Sequence, residues 1–545
     1  MKKNNLLLFT LLVAGIANAQ ITFTTQSIGT NHSDRGIVDM NGDHLDDVIS
    51  VSADAVQIFY QNDGGGFTEA NISTPTADYT PSWSLAAGDY DGNGLTDLLY
   101  GGGQGVTFMK AMDSNTGDSN PIDGFIEDSG SEYVFSQRSN FVDINNDGHL
   151  DAFVCHDVEP NVYYINDGNG NFTFNQGGLG DYSSGGHYGS VWVDFDNDRD
   201  IDMFIAKCGG ESARRDNEMH RNNGDGTYTE IGADLGLEDD MSTWSSAWAD
   251  YDNDGDMDAW IGASTLGQGF HRLMRNNGNG TFTDVITGSG LEGFTDTNIE
   301  NQTYDFDNDG YTDIISSGSI LYGNGDMTFT IQGGAPFNGG FGDVNNDGFI
   351  DVMGFGSLRI NDGNSNNWVK FATEGVESNS QGIGARVEIL TASGTQIRDV
   401  RSGEGFGNMS SLNTHFGLGT DDTVESVTVY WPSGTIDIFE DLDINQMHVL
   451  QEGDGVLGIN DAIVANLILY PNPTTDFLNI SEDINFDEPI YTVFDAAGRR
   501  VMHGRLNDSQ IDVSSLANGN YFLRLINNSR RLDRNKIKTQ KFTKR

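Results

Sequence analysis

Seven short stretches of this chain carry side chains whose type and spacing suit cation chemistry. Each is a nonapeptide of the form D-x-[DN]-x-[DN]-x-x-x-D, and the copies begin at Asp39, Asp89, Asp143, Asp194, Asp250, Asp305 and Asp343. Positions 1, 3, 5 and 9 present Asp39, Asn41, Asp43 and Asp47 in loop 1; Asp89, Asp91, Asn93 and Asp97 in loop 2; and Asp143, Asn145, Asp147 and Asp151 in loop 3. Loop 4 offers Asp194, Asp196, Asp198 and Asp202; loop 5 offers Asp250, Asp252, Asp254 and Asp258; loop 6 offers Asp305, Asp307, Asp309 and Asp313. Loop 7 offers Asp343, Asn345, Asp347 and Asp351. Four side-chain oxygens and a backbone carbonyl at position 7 suit a hard cation such as Ca²⁺, which takes six to eight oxygens in flexible geometry. Up to seven calcium sites follow from the spacing.

The loops are not equal. Loops 5 and 6 are all-Asp with Gly255 and Gly310 at position 6, where a positive φ lets the chain fold round an ion. Loops 2, 3 and 7 exchange one acid for Asn93, Asn145 or Asn345, which keeps an oxygen and loses a charge. Loops 1 and 4 put His44 and Arg199 where Gly is wanted, so their turns are expected to be strained or altered and rank lowest. An EF-hand is excluded, because it needs a bidentate Glu at position 12. That position holds Ser50, Tyr100, Val154, Ile205, Ile261, Ser316 and Gly354.

The elements that position these loops are strands. Short apolar runs follow the last Asp, as in Asp151-Ala-Phe-Val-Cys155 and Asp202-Met-Phe-Ile205, and Gly/Asn hairpins follow those, as in Asn276-Asn-Gly-Asn-Gly-Thr-Phe282. Each repeat reads as strand, acidic loop, strand, hairpin, strand. Spacings of 38 to 56 residues match a four-stranded propeller blade. On these motifs the chain resembles the FG-GAP/VCBS repeat family, the calcium-loop propellers related to the integrin α-subunit head, over about residues 20–365. The resemblance implies an all-β, seven-bladed calcium-loop propeller whose loops join the innermost strand of each blade to the next. Residues Ile21 to Phe23 are expected to complete the last blade, since the chain after Asp351 is too short to supply every strand.

Two modules follow. Gly382-Ile-Gly-Ala-Arg386, Arg401-Ser-Gly-Glu-Gly-Phe406, His415-Phe-Gly-Leu-Gly419 and Val429-Tyr-Trp-Pro-Ser-Gly434 resemble the ASPIC/UnbV module over 366–452, a small β-domain by its alternating strands. Within it, Arg386, Glu404 and His415 read either as a polar site or as a buried ion pair beside a core histidine. Residues 453–466 read as a linker. Leu469-Tyr-Pro-Asn-Pro473, Gly519-Asn-Tyr521 and a basic end resemble the type IX secretion C-terminal sorting domain of Bacteroidetes over 467–545, which implies an Ig-like β-sandwich and the secretion machinery as a partner. Twelve of the 29 Lys and Arg lie between Arg499 and Arg545.

Charge and termini bound the function. Across 545 residues, 81 Asp and Glu against 29 Lys and Arg give a formal charge of −52, which disfavours nucleic acid and anionic membranes. Lys2 and Lys3, the apolar run Leu6 to Ile16 and Ala17-Asn18-Ala19 read as a signal peptide over 1–19, and no later run is long enough for a transmembrane helix. Export, then secretion or anchoring at the outer surface, is the expected route. Cys155 and Cys208 allow at most one disulfide.

No G-x-S-x-G, H-E-x-x-H or Walker loop is present. The segments before the inner strands are expected to converge on the face opposite the acidic loops, bringing His32, Trp83, Arg138, His187, Tyr188, Trp244 and Glu300 towards a glycan or protein ligand. Trp83 and Trp244 read equally well as repeat-core residues. Two functions stand: a non-catalytic, calcium-rigidified adhesion or ligand-binding protein, or a calcium-dependent polysaccharide-degrading enzyme with His32 or His187 as base and Arg138 as charge stabiliser.

Overall fold

The computed structural model describes residues 21–113, 122–297, 299–336, 339–354, 356–457, 469–480, 490–495, 500–506, 510–526 and 537–545. The signal-peptide residues 1–19 and most of the 453–466 linker lie outside the described residues. Among those described, helix is confined to the four-residue turns Ser212–Arg215 and Gly232–Leu235, and no helix is long and apolar enough to cross a membrane.

The repeats form seven four-stranded antiparallel sheets in a propeller-like array. In six of them the strands run in chain order, as in Ser136–Val142, Asp151–His156, Val162–Asn166 and Phe172–Gln176. The second strands are buried on both faces because each sheet is covered by its neighbours; Asp151–His156 and Asp258–Ala263 are buried throughout. The last sheet combines Gly340–Gly342, Asp351–Gly354 and Ser357–Asn361 with an N-terminal strand, Phe23–Gln26, which pairs antiparallel with register Phe23↔Asn361. The closing strand therefore lies two residues beyond the start expected at Ile21. Joining the two ends of the array leaves the last sheet no shorter than the others.

The first compact unit comprises residues 1–435 and 439–452, so most of the 366–452 segment packs with the repeats. Its strands Asn367–Glu374, Thr414–Gly419 and Met447–Gln451 form one sheet, and Arg386–Thr391, Gly394–Asp399 and Val424–Tyr430 pair in another. Val369, Phe371, Ile383, Phe416 and Trp431 of this segment share one buried cluster with Tyr90, Leu99, Phe141 and Leu150 of the repeats. This shared core is the physical reason the two form one unit.

Residues 401–411 of this segment run where the first strands of the sheets converge. Gly36 bridges Met409 and Ser84 bridges Phe406. Asn140 donates to the carbonyls of Ser402 and Gly403 at 2.9 and 3.1 Å, and Arg401 donates to the Trp248 carbonyl at 3.0 Å. Ser410 donates to Gln302, and Ser411 N–H to the Phe341 carbonyl. The run thus touches six of the seven sheets. It is glycine-rich because the space is narrow: Gly403 has φ +80°, and a Cβ there would lie 2.0 Å from the Ser139 carbonyl oxygen.

The second unit comprises residues 436–438 and 453–545. Its strands Leu469–Tyr470, Phe477–Ile480 and Gln510–Asp512 form one sheet, and Arg500–Arg505, Ile490–Asp495, Gly519–Ile526 and Ile537–Lys544 another. Leu478, Val493, Ile511, Leu523 and Phe542 are its buried cluster. In the first unit, both cysteines are buried and free. Cys208 instead accepts the indole N–H of Trp244 at 2.9 Å.

Candidate metal centres

Every acidic loop sits between the first and second strands of its sheet and follows one backbone path. Position 1 is the hub: Asp143 accepts the N–H groups of Asp147 and Gly148 at 3.0 and 2.8 Å, and Asp250, Asp305 and Asp343 take the equivalent pair. Positions 4 and 6 both have positive φ, for example Asn308 at 56° and Gly310 at 94°. His44 (φ 68°) and Arg199 (φ 75°) adopt the same conformation at position 6. Of the two outcomes expected, strained or altered, their turns take the first: the path is unaltered and the residues themselves carry the left-handed strain of about 1–2 kcal/mol. Arg199 also stacks on the Tyr430 ring, 4.4 Å from its centroid.

Position 9 rivets the loop to its sheet. One oxygen accepts the N–H of position 2, from Met40, Tyr90, Ile144, Phe195, Tyr251, Phe306 and Val344, at 2.9–3.3 Å. The other accepts a third-strand N–H, from Gln61, Ala111, Asn166, Asn222, Asn276, Gly323 and Asn361, at 2.7–2.9 Å. All seven of these carboxylates are fully buried.

What separates the loops is position 3. Carboxylate oxygens of Asp89, Asp91 and Asp97, of Asp194, Asp196 and Asp202, of Asp250, Asp252 and Asp254, and of Asp305, Asp307 and Asp313 gather within 4.8 Å of one another. These are loops 2, 4, 5 and 6, the four with Asp at position 3. Loops 1, 3 and 7 have Asn41, Asn145 and Asn345, whose amides donate to the position-5 carboxylate at 3.1, 2.9 and 2.9 Å and so quench it internally. Loop 4 thus gathers three carboxylates despite Arg199 at position 6.

The gathered carboxylates repel one another in a poorly hydrated setting. Burial first, then the neighbouring carboxylates, pushes Asp202 up to about 9 and Asp250 up to about 8, and Asp258, Asp305 and Asp313 rise well above the usual carboxylate range. Asp194 Oδ1, Asp252 Oδ1 and Asp307 Oδ1 are buried and have no hydrogen-bond partner. A buried oxygen without a donor is costly unless something positive meets it, so the donor set fits a hard cation. In loop 2 a lysine supplies part of that charge, Lys110 pairing with Asp91.

The residues expected on a ligand face divide. Arg138 and Glu300 are 0% and 1% exposed, bond each other at 3.0 Å, and are covered by Phe406, whose N–H donates to Glu300 and whose ring lies 4.6 Å from the guanidinium. They are buried by the 401–411 run, which short-range sequence patterns do not reveal, and present nothing to a ligand. His187 is buried against the His156 carbonyl at 3.2 Å, and burial pushes its pKa down to about 4, too low for a base poised near pH 7. His32 is half-buried, and its Nε2 is buried without a partner. Trp83 is 39% exposed beside Phe135. Tyr188 and Trp244, both half-buried, stack with centroids 5.8 Å apart and rings 3° from parallel. Arg386, Glu404 and His415 do not meet: they bond Asp399, Arg401 and the Gly348 carbonyl respectively.

Comparison with family models decides the assignment. FG-GAP-like repeats match at residues 39–100, 143–205 and 194–261. These stretches are FG-GAP-like repeats. The same loop geometry continues through Asp351, beyond the matched residues. ASPIC and UnbV matches at 375–457 and a secretion system C-terminal sorting domain at 468–539, so the second unit marks the chain for secretion to the outer surface and makes the secretion machinery its partner. No curated protein sequence matches the chain. Among solved structures, an Agrocybe aegerita lectin that recognises non-reducing terminal N-acetylglucosamine is similar at 19% identity and TM-score 0.39, covering 55% of this chain and 80% of that one. PorZ of Porphyromonas gingivalis is similar at 13% identity and TM-score 0.32, covering 95% and 60%. The BP39L lectin of Burkholderia pseudomallei is similar at 12% identity and TM-score 0.38, covering 76% and 97%.

Proposed function

We propose that this protein is a calcium-binding propeller, delivered to the cell surface or beyond, that binds an extracellular glycan or protein without transforming it. The observation that carries the metal reading is the set of buried carboxylate oxygens without donors in loops 4, 5 and 6. Calcium would supply the missing positive charge there; the chain's own part is to hold position 1 by backbone N–H groups and position 9 by two more. The non-catalytic reading is supported by His187, which burial makes a poor base, and by Arg138, which is spent on Glu300. The remaining ligand candidates are the stacked Tyr188–Trp244 pair and Trp83, since flat aromatic faces suit sugar rings and protein loops alike. A glycan panel with product detection alongside binding tests this; release of shorter glycans would overturn it.

Position 3 gives a sharp comparison. Asp307→Ala removes a charged ligand from an all-Asp loop and should lower bound calcium by about one ion, with about 2.7 kcal/mol of stability at a calcium concentration a hundred times Kd. Asn345→Ala should cost less than half of that. Calcium stoichiometry and thermal melting of the two variants check the ranking, which equal or reversed effects would refute.

The sorting domain is proposed to act as an address only. The first unit ends at Glu452, whose carboxylate accepts the N–H groups of Val376, Glu377 and Ser378 at 2.7, 2.8 and 2.8 Å, so the body carries its own C-terminal clasp. A chain ending at Gly453 should fold and bind calcium and ligand as the full chain does, yet accumulate in the periplasm of its host. Cell fractionation reads the result, and surface display of the shortened chain would contradict it.

A further inference from the structure

The 366–452 segment reaches the acidic loops in a repeated way. In loop 2, Asp89 Oδ1 accepts Asn93 N–H at 2.9 Å, while Oδ2 accepts Gly94 N–H at 2.9 Å and the Ser380 hydroxyl at 2.7 Å. In loop 7, Asp343 Oδ1 accepts Asp347 N–H at 3.1 Å, while Oδ2 accepts Gly348 N–H at 3.0 Å and the Lys370 ammonium at 3.0 Å. In loop 4, Asp194 Oδ2 accepts Arg199 N–H at 3.2 Å and faces Arg386 Nη1 at 3.5 Å, while Oδ1 has no hydrogen-bond partner. Three residues of different type, from three places in one segment, converge on the same oxygen of the same loop position.

A carboxylate has about four lone-pair sites. In loops 2 and 7 three are filled, both of those on Oδ2 among them, so the free capacity lies on Oδ1. Donors on the outer oxygen of a metal-binding carboxylate fix its orientation and tune its affinity. We infer that the ASPIC/UnbV segment supplies the outer shell of metal loops 2 and 4, with Ser380 and Arg386 as positioning residues that turn the first Asp of each towards the ion, while Lys370 takes the corresponding place on loop 7, which gathers no carboxylate trio. Metal loading and the seating of this segment on the loops are thereby coupled. Among the described residues, no hydrogen bond or ion pair from the segment reaches Asp39, Asp143, Asp250 or Asp305, so loops 1, 3, 5 and 6 stand outside the arrangement.

The inference rests on the calcium reading, and one experiment separates their failures. Hydrogen exchange of the full chain, followed as calcium chloride is titrated, gives a half-protection concentration for peptides spanning residues 89–97 and 250–258. Ser380→Ala should raise the loop 2 midpoint about tenfold, the lower end of outer-shell effects on metal affinity, and leave loop 5 unmoved. Ser380→Thr, which keeps the hydroxyl, should restore the loop 2 value. An unmoved loop 2 midpoint, or equal movement of both loops, would overturn the positioning role. If calcium protects neither loop in the unsubstituted protein, the metal reading fails, and this inference fails with it.

Discussion

Removing calcium at pH 7.5 is expected to lower the melting temperature of this protein by on the order of 10 °C. A site saturated at a hundred times its Kd contributes about 2.7 kcal/mol, hence about 11 kcal/mol over the four loops with gathered carboxylates, and each kcal/mol moves the transition of a body this size by about 1–2 °C. The sign of the pH dependence follows from the same groups. Without a cation, Asp202 and Asp250 hold their protons up to about 9 and 8, so the folded state binds more protons than the unfolded one. Stability of the chelated protein should therefore be highest near pH 4 and fall as pH rises towards 8. The gap between calcium-loaded and chelated protein should narrow at pH 5, and scanning calorimetry in calcium and in EDTA at both pH values reads it. An unchanged melting curve in EDTA at pH 7.5, or a gap as wide at pH 5, would contradict the assignment.

The second large effect is expected at the glycine-rich run. Gly403→Val places a branched side chain at φ +80° with its Cβ 2.0 Å from the Ser139 carbonyl oxygen, so the run must move away from the strands it bonds. Left-handed strain and overpacking together cost about 3 to 5 kcal/mol. Phe406→Ala should cost a similar amount, about 3 to 5 kcal/mol, because it empties the cover over the buried Arg138–Glu300 pair. Urea midpoints of both variants measure this, and limited proteolysis should show residues 366–452 becoming cleavable. Wild-type midpoints for both would mean that the run is not what holds the repeats and the following segment together.

What the sequence disclosed and what it withheld divide by range. The loops are local: nine residues carry the four oxygen-bearing positions, so spacing was enough to find them, while the riveting of position 9 to a third-strand N–H 10 to 20 residues away was not visible. Position 4, always Gly or Asn, was visible in the sequence too, and its positive φ explains why. The split at position 3 needed geometry, because only the fold shows the amides of Asn41, Asn145 and Asn345 turned onto the neighbouring acid. The fates of Arg138 and Glu300 were not legible. They lie 162 residues apart and are covered by a ring a further 106 residues on, so no local pattern joins them. Likewise Lys370 and Ser380 read as ordinary strand and loop residues, and Arg386 as part of a polar group with Glu404 and His415, until the repeats are placed beneath them.

The most direct test is calcium content. The full chain, purified without chelator and desalted into metal-free buffer, should retain about four equivalents by elemental analysis, one for each loop that gathers three carboxylates. Less than one equivalent, in protein that shows a cooperative melting transition, would contradict the account.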